Sequence, residues 1–224
     1  MKTAILFDID GTLLHAKGVG RPAFDRAFRA AYRQPYPHID QLNFVGATDS
    51  GVLRAMTQAC AIHNTAAHEE HFFFELSKEI DAALAVSPPH VYPGVPALLQ
   101  SLTERGVQLG LVTGNIRATA WSKLRHAKLD HFFSFGAYGD EHDNRNEITR
   151  FARARLPEDI RPVALIGDTP LDIQAAATNG LCAIAVATGW IDADALRAAG
   201  ADIVFTDFTD GPACMSWLTA QGFC

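Results

Sequence analysis

Four cysteines in 224 residues, at Cys60, Cys182, Cys214 and Cys224, are too few and too scattered for a disulfide scaffold, a zinc ribbon or a thioredoxin-type pair. They read as reduced thiols, with Cys60 and Cys182 filling core space. No apolar run approaches the length of a membrane span. The N-terminal run Ala4-Ile5-Leu6-Phe7 is cut short by Asp8 and Asp10, which is not how a signal peptide is written, so a cytoplasmic protein is expected. Basic charge is scarce as well. The 19 Lys and Arg against 25 Asp and Glu leave a formal net charge of −6, which argues against a sequence-independent grip on nucleic acid. Internal repeats and low-complexity tracts are missing. What remains, 48% hydrophobic and 20% charged, is the composition of a folded chain able to bury a core.

Short apolar runs at 4–7, 109–112, 132–135, 163–166, 183–186 and 203–205 are each followed closely by polar residues or glycine and read as buried parallel strands. Helix-length segments such as 118–127 and 172–178 lie between most of them, so an α/β fold with a doubly wound parallel sheet is expected. One interval is far too long for a single crossover. Residues 15–87 carry helical periodicity, as in Ala23-Phe24, Ala27-Phe28 and Ala31-Tyr32, until Pro88-Pro89 and Pro93-Gly94 mark the return. The division expected is therefore an α/β core of residues 1–14 and 88–224 with an α-helical cap, residues 15–87, inserted in it.

Ligands of an open parallel sheet collect at the carboxyl ends of its strands. Three of those ends read Asp8-Ile9-Asp10-Gly11-Thr12, Thr113-Gly114-Asn115 and Gly167-Asp168-Thr169-Pro170-Leu171-Asp172. Asp8 and Asp10 stand two apart in extended chain, so both are expected on one side, with Asp168 approaching from a neighbouring strand. Crowded carboxylates repel one another, and a hard divalent cation such as Mg2+, bound among Asp8, Asp10 and Asp168, resolves that conflict while leaving positions for a phosphate. Asp8 is then the candidate nucleophile on phosphorus and Asp10 the candidate acid and base. Gly11, Thr113, Gly114 and Asn115 are expected to bind the phosphate through a nest of backbone amides and the threonine hydroxyl.

The order of Phe7-Asp8-Ile9-Asp10-Gly11-Thr12-Leu13, Val112-Thr113-Gly114-Asn115 and Ile166-Gly167-Asp168-Thr169-Pro170-Leu171-Asp172 resembles the haloacid dehalogenase superfamily, in its phosphoglycolate-phosphatase-like branch, over nearly the whole chain. The resemblance implies a Rossmann-like core with a helical cap and a Mg2+-dependent phosphatase working through an aspartyl-phosphate. It makes Asp8 nucleophile and metal ligand, and Asp10 an acid/base that binds metal through its carbonyl. Thr113 contacts phosphate, Asp168 contacts the metal, and Asp172 stands behind it. The family's usual basic residue, a lysine before the last motif, is missing from Asp140-Glu141-His142-Asp143-Asn144-Arg145-Asn146-Glu147. Arg145 takes its place as the expected catalytic cation. Asn144 and Glu147 read as N-cap and third helical residue, and a cation at a helix start opposes the dipole unless it serves an anion. Lys123 is the second candidate.

Plainer readings stand beside these. Asp172, three after Thr169, is also how a helix start is written, and Thr113-Gly114-Asn115 is also a turn. His63, His68 and His71 read as a helix surface, Phe72-Phe73-Phe74 as cap core or the contact of a homodimer, and residues 140–143 as a solvated loop. Other reactions of the superfamily are weighed as well. A 2-haloacid dehalogenase lacks the carboxylate that Asp10 supplies, and a phosphonate-cleaving enzyme needs a cap lysine, whereas Lys17 and Lys78 sit at the cap's edges. A phosphosugar mutase, and a silent module that only senses a phosphorylated ligand, complete the alternatives. The expected partner is a small phosphate ester, phosphoglycolate first, with Arg21 or Thr48-Asp49 reaching its far end. No nucleic-acid or membrane partner is expected.

Overall fold

The computed structural model describes residues 2–16 and 18–224; the lysine expected at one cap edge, Lys17, lies outside the described residues. Six strands form one parallel sheet: β1 (Ala4–Phe7), β4 (Gln108–Val112), β5 (Phe135–Ala137), β6 (Val163–Gly167), β7 (Cys182–Val186) and β8 (Ile203–Phe205), in the spatial order β5-β4-β1-β6-β7-β8. Two short strands, β2 (Leu14–His15) and β3 (His90–Val91), pair antiparallel in a separate ribbon. Residues 14–15 and 90–91 thus lie side by side in this ribbon.

Alternation along the strands feeds two cores. Ile5 and Phe7 face one side with Leu109, Leu111 and Ile166, while Ala4 and Leu6 face the other with Val112, Val163 and Leu165. Helices α4 (Val95–Glu104), α5 (Arg117–His126) and α9 (Gly211–Ala220) cover the first face. Helices α6 (Arg145–Ala154), α7 (Pro170–Thr178) and α8 (Ala193–Ala198) cover the second. Burial on both faces explains why the strands read as continuous apolar runs.

Between the ribbon strands lie α1 (Gly20–Tyr32), α2 (Asp49–Ala59) and α3 (Ala66–Val86). Their apolar stripes, Phe24 and Phe28 on α1, Leu53 and Met56 on α2, and Phe72, Leu76, Ile80 and Leu84 on α3, close into a third cluster. Thr48 and Thr65 start α2 and α3 by accepting the amides of Gly51 and His68. The phenylalanine triplet divides, since Phe72 is fully buried in this cluster and Phe74 is 62% exposed. His63, His68 and His71 are exposed; His68 and His71 stand on α3 as expected, whereas His63 lies in the segment before it and not on a helix surface.

Two expectations need correction. The run at 132–135 is not a strand throughout: Asp130–Phe132 forms a 3-10 turn and β5 begins only at Phe135. Phe133 leaves the sheet line to pack edge-on against Phe7, and Gly110 on the adjacent strand makes room for the Phe135 ring. Cys60 and Cys182 are half-buried rather than core residues, and Cys214 is the cysteine in the core.

Candidate active site

The register of the sheet sets the site. Phe7 lies level with Leu111 on β4 and Ile166 on β6, so the chain ends of all three strands open at one height. Asp8, just past β1, donates its amide to the Ile166 carbonyl at 2.9 Å. Asp168 follows β6 directly, and its carboxylate accepts the Thr12 hydroxyl at 3.2 Å. Gly11, at φ +87°, is required here, because a Cβ would stand 2.1 Å from the Asp168 carboxylate. Gly167 and Gly189 give the same clearance to Asp172 and Asp168.

Asp8, Asp168 and Asp172 bring one carboxylate oxygen each within 4.8 Å of one another, all three buried. This is the expected convergence with one member exchanged. The Asp10 carboxylate turns away and accepts Lys123 Nζ at 2.6 Å and Asn115 Nδ2 at 2.7 Å. Three residues past β1 the chain has already turned, with Asp10 bridging to Leu14, so the alternation of an extended strand no longer applies.

Arg145, first residue of α6 behind the Asn144 N-cap, reaches into the carboxylate cluster with only 5% of its surface exposed. Its Nε donates to Asp172 Oδ1 at 2.8 Å, and its Nη2 lies 2.8 Å from Asp8 and 2.6 Å from Asp172 as ion-pair contacts. The second oxygen of Asp172 accepts the amide and hydroxyl of Thr169 in a capping box, so the helix-start reading of Asp172 holds.

Burial dominates the electrostatics. It pushes the Asp8 carboxyl up to about 7, with Arg145 pulling it back and Asp172 and Asp10 adding to the rise. Burial, then Asp8 and Asp172, raise Asp168 to about 8 against the pull of Arg145 and Thr12. For Arg145 burial opposes the charge, but Asp172 and Asp8 outweigh it and hold the guanidinium protonated more firmly than usual. Two desolvated, mutually repelling carboxyls with oxygen-only donors are a fitting seat for a hard divalent cation. Asp8 and Asp168 offer it their oxygens, while Asp172 is already committed to Arg145 and Thr169.

The expected phosphate nest is more constrained. The Gly11 amide donates to Leu14 and the Thr113 amide to Ala137, so neither forms part of it. The Thr113 oxygen accepts Asn115 Nδ2 at 2.7 Å, leaving its hydrogen to donate. Gly114 permits close approach instead: a Cβ would lie 2.2 Å from the Ala47 carbonyl.

That contact belongs to a seam between the inserted helices and the sheet. Asp49, at the start of α2, donates its amide to Gly114 O at 2.7 Å and accepts the Ile116 amide at 2.8 Å. Burial raises its carboxyl to about 6, against the pull of Lys123. The Thr48 hydroxyl donates to Asp143 O, Ser50 to Gly139 O, and Ser122 on α5 to Asp81 on α3. Thr48 and Asp49, offered by sequence as substrate contacts, are thus engaged in seating α2. Arg21 likewise donates to the carbonyls of Ile39 and Leu42 and stacks its guanidinium 5.1 Å from the Phe44 ring centre. Sequence reasoning missed the Lys123–Asp10–Asn115 triangle, Thr12, and Thr188, whose hydroxyl donates to Gly11 O at 2.5 Å. Only Lys123, an interruption in the buried face of α5, carried a signal.

A cavity of about 560 Å³ runs from Asp8 and Asp168 to the inserted helices. No described helix is long and apolar enough to cross a membrane. Residues 5–186 match the family of haloacid dehalogenase-like hydrolases. The phosphoglycolate phosphatase of Vibrio cholerae is 27% identical over 91% of this chain and 92% of its own. The pyrophosphatase PpaX of Bacillus pumilus is 28% identical over 78% of this chain and 80% of its own. A hydrolase from Pseudomonas syringae shares the fold with a TM-score of 0.74 at 20% identity, covering 97% of this chain and 99% of that one.

Proposed function

The chain belongs to the haloacid dehalogenase-like hydrolases, and we propose that within them it is a Mg2+-dependent phosphatase that hydrolyses small phosphate monoesters through a phosphorylated Asp8. The observation that carries this reading is the seat of Asp8, buried at the tip of β1 between a guanidinium and two further carboxylates.

Asp8 attacks phosphorus through a carboxylate oxygen, forming a carboxyl–phosphoryl bond as the bond to the leaving alcohol breaks. Arg145, paired with Asp8 and Asp172, offsets charge on the nucleophile and keeps it aimed at the cleft. Asp10 gives the departing oxygen its proton and later takes one from the water that frees the phosphate, with Lys123 and Asn115 holding the carboxylate between the two steps. Thr113 donates its hydroxyl to a phosphoryl oxygen. Bound between Asp8, Asp168 and the Asp10 carbonyl, Mg2+ would supply charge neutralisation for the transferring group. Helices α1 to α3 act as the cap that shields the phosphoenzyme from bulk solvent.

Asp10 favours phosphoryl transfer over dehalogenation, because a paired carboxylate two residues from the nucleophile has a task only where a proton must reach an alkoxide. The test is turnover of a generic aryl phosphate with Mg2+ and again with chelator. Activity that disappears with chelator supports the reading; activity that ignores chelator, or no turnover in either condition, overturns it.

A further inference from the structure

Five large apolar side chains stand exposed among the described residues. Two of them, Trp190 at 82% exposure and Val45, line the catalytic cavity, and a third, Leu171, lies 2.9 Å from where a Cβ on cavity-lining Gly46 would stand. Water contact at an indole is costly, and exposed apolar groups in the lining of a catalytic cavity are a recognition feature rather than scatter. Trp190 is not on a loose loop either. Thr188 is tied to Gly11 O, and Gly189 sits so close to Asp168 that a Cβ would come within 1.8 Å of its carboxylate. The indole is therefore delivered one residue from the carboxylate cluster.

The cavity lining holds both Asp8, Asp168 and Arg145 and the apolar side chains of Phe44, Leu76 and Ile80. Its volume of about 560 Å³ is that with the inserted helices seated, since Asp49, Ser50 and Asp81 are all bonded across the seam. Pockets of that size hold ligands much larger than a two-carbon acid. The guanidinium of Arg21, on α1, is turned to the carbonyls of the segment that follows that helix.

We propose that the preferred substrates are phosphate monoesters whose alcohol carries an aromatic ring, and that Trp190, with Val45 and Leu171, is the subsite that receives the ring. This deepens the phosphatase reading and rests on it. With phosphorus held at Asp8, the leaving group extends into the cavity, and the exposed indole in its lining offers a face for stacking.

Two esters of matched leaving-group acidity separate ring recognition from reactivity: 3-phenylpropyl phosphate and propyl phosphate, assayed with Mg2+ on the full chain. The expected result is a kcat/KM ratio of about two to ten in favour of the phenyl ester, carried by KM, the scale of one aromatic contact. Trp190→Ala brings the ratio close to one, and Trp190→Phe, which keeps a ring, restores most of it. Trp190 lies at the surface, so neither variant threatens the fold. A ratio near one in the unaltered protein, or a ratio that Trp190→Ala leaves unchanged, overturns the proposal. Absence of turnover with both esters strikes the phosphatase reading itself. Calorimetric titration of the two esters then still decides the subsite: tighter binding of the phenyl ester that Trp190→Ala abolishes supports it, and equal affinities overturn it.

Discussion

Arg145 and Lys123 serve the same cleft from two regions whose surroundings differ. Arg145 enters at the start of α6 with its side chain 5% exposed, against partners at 7% for Asp8 and 2% for Asp172. Lys123 enters from α5 with its side chain 10% exposed, but its partner Asp10 is 42% exposed. In the first region two carboxylates and a guanidinium are sealed from water, and removing the guanidinium leaves the buried carboxylates without compensation. In the second, solvent screens the pair and lets it part. On the proposed mechanism the sealed region would hold the nucleophile still, and the open one would suit a carboxylate that changes protonation twice per turnover.

The largest effect belongs to the group at the centre of the sealed region. Asp8→Asn should lower turnover by on the order of 10⁴-fold or more while leaving Tm equal or higher, because a repelled, desolvated carboxyl is gone. Retained activity would move the nucleophile elsewhere. Arg145→Ala should cost about 3–5 kcal/mol of stability, the scale of a broken buried ion pair, and weaken inorganic phosphate binding as well, read by denaturant titration and calorimetry. Lys123→Ala should do the reverse, slowing kcat by about 10²-fold through the loss of Asp10's holder while stability falls by about 1 kcal/mol or less. If the two variants exchange these signatures, the division between the regions is wrong.

The smallest effect is one of pH. Asp8 and Asp168 bind protons more tightly in the folded chain, at about 7 and about 8, than their ordinary value of 3.8. The metal-free protein is therefore favoured below about pH 4 and loses that margin as pH rises through about 7 and 8. Mg2+ competes with those protons, so it should raise Tm more near pH 8 than near pH 5 in a calorimetric scan. A Mg2+ shift independent of pH would detach the ion from this cluster.

Asp8, Asp10 and Asp168 were legible because each directly follows, or nearly follows, a run that could only be a buried strand, and strand ends are where a parallel sheet is open. Arg145 was legible from a local contradiction, a cation where the helix dipole disfavours one. Lys123 was only a second candidate, since a lysine in the last turn of a helix needs no special explanation. The direction of the Asp10 carboxylate, the duty of Asp49 at the seam and the place of Val45 and Trp190 in the cavity lining were not legible at all. Each depends on residues brought together from distant parts of the chain.

By itself the amino-acid order determined the parallel α/β core, the helical insertion and the list of acids at the strand tips, because hydrophobic periodicity and strand-end chemistry are written over a few neighbouring residues. Which carboxylates cluster, which cation neutralises them and what borders the cavity were decided only by the tertiary structure. Those outcomes turn on separations of a few ångströms and on the loss of water, and neither exists until the layers have packed.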